Sequence, residues 1–102
     1  MAKAVRHFGI VVSDLDKAMH FYVNLLGLKV QRDMLEEGDF IEEILGLKDV
    51  KVRTVKLSAD EGCIVELLHY LSPEHVREAK KKEMPEIGAS HVAFTVDDVD
   101  KE

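Results

Sequence analysis

Three residues in this 102-residue sequence have the right chemistry to share a divalent cation: His7, Glu66 and His91. Each lies in a short apolar, β-branched run: VRHFGIVV at 5–12, CIVELLHYL at 63–71 and HVAFTV at 91–96. Such runs are too short for helices and read as strands. Along a strand, alternate side chains share a face, so Val5, His7, Gly9 and Val11 stand together. Ile64, Glu66, Leu68 and Tyr70 form a second set, with Cys63, Val65, Leu67 and His69 opposite. His91, Ala93, Thr95 and Asp97 form a third. Glu66 therefore sits among apolar neighbours, where a carboxylate is costly unless paired, neutralised or bound to a cation. Two imidazoles and one carboxylate on three strands suit Zn²⁺, Ni²⁺, Co²⁺, Mn²⁺ or Fe²⁺, with positions left for water or substrate. A plainer account also fits: half-exposed strand histidines and a glutamate salt-bridged at a sheet rim.

The elements that must position these residues follow from the pattern. Ser13 and Asp14 can cap a helix, and Asp16 adds charge to its first turn. Leu15, Ala18, Met19, Tyr22, Leu25 and Leu26 give that helix one apolar stripe over 14–26. Gly27 supplies the left-handed stop. Strands are expected at 28–34, 50–58 and 63–71, with a loop holding a short helix at 36–47 and a hairpin turn at 59–62. The order is β-α-β-loop-β-β. Lys80-Lys81-Lys82-Glu83 reads as a solvated linker face or as a basic patch for an anion.

His7 to Ala18 aligns without gaps on His91 to Glu102, 84 residues later, with five of twelve residues identical. Both copies run from a histidine-bearing strand to an acidic cap, the mark of a duplicated unit. The chain then divides into a first module at 1–71, a partly helical linker at 72–88 and the opening of a second module at 89–102. On that reading roughly 40–50 residues of the second unit are missing.

Composition narrows the functional classes. A net charge of −6 argues against nucleic acid as the main partner. No apolar run reaches the ~18 residues of a membrane span. One cysteine, Cys63, excludes an intramolecular disulfide and a cysteine-based zinc site, and is expected to be a small buried hydrophobe. Met1 to Arg6 does not read as a secretion signal, so a cytoplasmic protein is expected. Lys51, Arg53 and Lys56 read as exposed strand charges, or as contacts to a substrate carboxylate or phosphate. His69 and His75 read as surface residues, and His20 as packing or surface.

HFGIVVSDLDKAMHFYVNLLGLKV (7–30), VELLHY (65–70) and GASHVAFTVDD (88–98) resemble the vicinal oxygen chelate superfamily of glyoxalase I, methylmalonyl-CoA epimerase, bleomycin-resistance proteins and extradiol dioxygenases. The resemblance implies an α+β fold of paired βαβββ modules with a mixed, curled sheet, the second module incomplete in this chain. It implies metal ligands at His7, Glu66 and His91, with a fourth expected past Glu102. It also implies a proton-transfer, catalytic role for Glu66. The corresponding activity is a divalent-metal-dependent lyase or isomerase that stabilises an enediolate or oxyanion of a small substrate chelated through adjacent oxygens. Two other readings stand beside it: a metal-free drug-binding protein of the bleomycin-resistance kind, and an inactive fragment stabilised by dimerisation. A lone module leaves one sheet face uncovered, so a homodimer is expected.

Overall fold

The structure is a computed structural model that describes residues 1–72 and 92–97. Its elements run β1 (His7–Val11), α1 (Leu15–Met19), β2 (Lys29–Glu37), α2 (Asp39–Leu45), β3 (Lys51–Ser58) and β4 (Ile64–Ser72). This is the expected βαβββ order, with α2 in the anticipated loop and β2 reaching three residues further than its sequence pattern indicated. Asp14 caps α1 as expected, its Oδ1 accepting from the Lys17 backbone N–H at 3.0 Å.

α1 does not continue as one α-helix to Leu26. It widens into a π-helical segment, His20–Leu25, before the chain reverses at Gly27, where φ is +77°. The widening is visible in the closing bonds: the Leu26 N–H donates to Phe21 and the Leu28 N–H to Tyr22. One expected inward residue changes as a result. Leu25 is 56% exposed, while Tyr22, Val23 and Leu26 are half-buried.

The four strands form one mixed sheet in the order β1-β4-β3-β2. β2–β3 and β3–β4 are antiparallel, and β1 joins the edge of β4 in parallel. The crossover that a parallel pair requires is everything between β1 and β4. Leu15, Leu28, Val55, Leu57, Val65 and Leu67 make a buried cluster on the face that carries α1, with Ile10, Ala18, Met19, Tyr22 and Phe94 packed against it. Residues 92–97, within the expected second-copy strand, pair with no strand among the described residues, although Phe94 packs on the core and lies 6.2 Å from the Tyr22 ring. The linker 73–88 and the rest of the second copy lie outside the described residues.

On the helix face of the β2–β3 edge, Arg53 makes a two-pronged pair with Asp33, Nε to Oδ1 at 3.0 Å and Nη2 to Oδ2 at 2.7 Å. The guanidinium hydrogen bond holds the Asp33 carboxyl below its usual range. A depressed folded-state value means the pair stabilises the fold above the ordinary aspartate range and loses that contribution as pH falls through the depressed value. Both side chains are well exposed, so a double-mutant cycle with Arg53→Gln and Asp33→Asn in urea should give a coupling of only about 0.5 kcal/mol at pH 7. The coupling should shrink as pH falls through the depressed Asp33 value, below the ordinary aspartate range.

Candidate functional site

The register of the sheet decides which side chains meet. On β1–β4, His7 is paired with Ile64 and Gly9 with Glu66. On β3–β4, Lys56 is paired with Glu66. His7, Gly9, Glu66 and Lys56 therefore share one face, opposite the face carrying Val65, Leu67 and α1. The alternation expected for β1 and β4 holds at both residues.

On this face the His7 Nε2 lies 3.8 Å from the Glu66 Oε2. The Glu66 side chain is only 12% exposed, whereas His7 is 45% exposed. The Lys56 Nζ lies 3.8 Å from the same Glu66 oxygen. Thus Glu66, expected among apolar neighbours, is flanked by an imidazole on one side and an ammonium on the other. The sequence alone reads Lys56 as an exposed strand charge or a contact to a substrate anion; its approach to Glu66 follows from which residue of β3 stands opposite residue 66. The same register separates Lys56 from Arg53, which lies on the helix face and is occupied by Asp33.

The donor set fits a shared cation. Bonds from imidazole nitrogen and carboxylate oxygen to a divalent ion run ~2.0–2.2 Å each, so one ion can span a gap of about 4 Å between two donors. Gly9, opposite Glu66, puts no side chain beside the carboxylate, and a Cβ there would crowd the Leu68 Cδ1 at 3.3 Å. Among the described residues no third His, Cys, Asp or Glu joins the pair. His91 lies outside the described residues, so the structure brings two of the three expected ligands together.

Other candidate residues fall elsewhere. Cys63 is exposed, not buried: it sits between the Gly62 turn and the first residue of β4, before any neighbouring strand covers it. His20 is exposed and within 3.1 Å of the Asn24 side-chain amide. His69 is half-buried on the helix-side face. His75 lies outside the described residues. A separate open hollow is lined by Glu37, Glu42, Asp49, Lys51 and Ser72, and contains neither His7 nor Glu66. No helix among the described residues is long and apolar enough to cross a membrane.

Comparison with known proteins gives the same answer as the sheet. An uncharacterised protein of Bacillus subtilis, YwkD, is 28% identical over 104 residues, covering 99% of this chain and 67% of its own length. A 2-epi-5-epi-valiolone epimerase of an Actinomyces species is 28% identical over 102 residues, with 97% of this chain and 55% of the epimerase aligned. This chain therefore spans between about half and two thirds of these relatives. The crystal structure of a glyoxalase family protein from Bacillus cereus superimposes with a TM-score of 0.88 at 25% identity, covering 99% of this chain and 68% of that one. A family model described as the Glyoxalase/Bleomycin resistance protein/Dioxygenase superfamily matches residues 6–102. With nearly the whole chain matched and a single βαβββ module in the expected order, the chain belongs to the Glyoxalase/Bleomycin resistance protein/Dioxygenase superfamily.

Proposed function

We propose that this chain carries three ligands of a divalent-metal site for an enzyme of the glyoxalase or epimerase type, His7, Glu66 and His91. The observation that supports the reading is the 3.8 Å approach of the His7 Nε2 to the Glu66 Oε2 across two strands that are 52 residues apart in the chain. When bound, a divalent ion supplies positive charge to two adjacent substrate oxygens, easing removal of a proton from the carbon beside them. In this arrangement Glu66 would hold the ion, and its carboxylate would take or return a proton. Gly9 leaves the approach to Glu66 free of a side chain. The epimerase among the relatives agrees with proton transfer at carbon as the reaction type. The substrate is a small molecule with vicinal oxygens, and the working unit is a homodimer in the cytoplasm.

Titration of the chain with Co²⁺, followed by its visible absorption, tests the ligand assignment. Wild type should develop cobalt bands with saturable binding, and His7→Ala should weaken binding on the order of 100-fold by removing one of the few protein donors. Absence of the bands from wild type, or an unchanged affinity in His7→Ala, would overturn the reading.

A second reading has its own support. The Lys56 ammonium, 3.8 Å from Glu66, balances the carboxylate with no metal present. That arrangement suits a metal-free binding protein of the drug-sequestering kind. On this reading Co²⁺ produces no bands, while a flat cationic antibiotic raises the thermal midpoint.

A further inference from the structure

The β2–β3 ladder has one irregularity, and it lies beside the site. Val30 pairs with Leu57, yet Arg32 pairs with Lys56, so Gln31 is the extra residue of a β-bulge. In an unbroken ladder Arg32 would stand opposite Val55, on the face that carries the helix-side core. The bulge turns Arg32 to the other face. It is held in place by the Gln31 side-chain amide, which donates to the Ser58 hydroxyl at 2.5 Å.

As a result four residues stand side by side across the sheet: Arg32, Lys56, Glu66 and Gly9. Two cations directly opposite one another are destabilising in a sheet unless something lies between them. Arg32 is exposed and makes no ion pair among the described residues; Lys56 reaches only Glu66, at 3.8 Å. Two cationic groups and one carboxylate leave a local excess of positive charge in a chain of net charge −6. Arg53, the other strand arginine, is already satisfied by Asp33. The excess therefore belongs to the face of the proposed metal pair, and the bulge is what puts it there.

We propose that Arg32 and Lys56 recognise a second anionic group, a carboxylate or a phosphate monoester, on the substrate whose vicinal oxygens reach the His7–Glu66 pair. This assignment rests on the metal reading for its second half, while the anion pair itself stands on the bulge and the register. Guanidinium offers a planar fork to such a group and ammonium a compact point charge, so the two approach it from adjacent strands.

The test compares hydroxy acids that share the same chelating unit and differ by one anionic group. Lactate and malate differ by a carboxylate; glycerate and 3-phosphoglycerate differ by a phosphate. With the chain saturated in Zn²⁺ at low ionic strength, the member with the extra anion should bind at least tenfold more tightly in one of the pairs. The pair with the larger ratio identifies carboxylate or phosphate. Arg32→Gln and Lys56→Gln should each cut that ratio at least threefold, with lactate and glycerate affinities unchanged in Arg32→Gln. Ratios near one in wild type, or ratios that neither variant changes, would overturn the proposal. A metal-free arm separates its failure from that of the metal reading: phosphate and succinate are titrated against the Arg32 Nε–H resonance, which should shift in wild type and not in Lys56→Gln. If Zn²⁺ does not bind but this resonance responds, the metal reading fails and the anion pair stands. If Zn²⁺ binds and neither ratio nor resonance responds, the anion pair fails alone. If nothing binds, both fail.

Discussion

Leu67→Ala is expected to cost about 3–4 kcal/mol and to pull the urea midpoint down sharply, because the residue is fully buried at the centre of the core. Leu67 lies on β4 between the paired residues Ile10 and Val55, and clusters with Leu15, Leu57 and Val65 beneath α1. Removing three carbons there loses their transfer free energy and leaves a void that the flanking strands cannot close without breaking the ladder. Domains of this size have only about 5–15 kcal/mol in hand, so the loss is a large share of the total. Val30→Ala on the β2 edge, two strands away, is the control. At 45% exposure it should cost a few tenths of a kcal/mol, up to about 0.5. Equal effects at the two positions would contradict the core assignment.

Glu66→Gln and Lys56→Met should move metal affinity in opposite directions. Glutamine preserves the shape of Glu66 but removes the negative charge and one strong oxygen donor, so Co²⁺ affinity should fall by about 100-fold. Lys56→Met removes a cation 3.8 Å from the same oxygen while keeping most of the side-chain length. A monovalent and a divalent charge about 5 Å apart repel by roughly 1.5–2 kcal/mol at the dielectric of water, so affinity should rise at least tenfold. The two substitutions read the same carboxylate from its two partners. A fall in affinity in Lys56→Met would mean that the ammonium supports the site and does not compete for it. Apart from metal, Glu66→Gln also removes the carboxylate on the far side of Lys56 from Arg32 and leaves the two cations uncompensated, so a small loss of stability at low salt accompanies it.

The legible parts of the molecule are those written in local sequence. Asp14 caps α1 and Gly27 stops the helical stretch because each acts through its own backbone neighbours. His7 and Glu66 were assignable to a face because strand period fixes face without knowledge of the partner strand. What crosses between strands was less legible. The alternation of β3 places Lys56 on a face, but its approach to Glu66 depends on the β3–β4 register. The bulge at Gln31 has no glycine or proline to mark it; only the ladder reveals the extra residue. The π-helical widening after Met19 likewise hides in an ordinary apolar stripe and shows itself as Leu25 turned to solvent. Cys63 is exposed against the burial its residue type suggests, because it precedes the first residue of β4. His91, expected as a third ligand from the repeat, lies outside the described residues.

The parallel docking of β1 on β4 has a consequence for how the protein is assembled. β2, β3 and β4 follow one another in the chain, with 13 and 5 residues between them, whereas β1 must return across 52 intervening residues to reach its place at the edge. Closing so long a loop is the step that topology makes slow, and an edge strand is the natural place for a sheet to open locally. His7 and Glu66 stand on the two sides of that seam. An ion held by both would therefore act as a reversible cross-link on the least local joint of the fold, holding closed the strand that is hardest to bring home.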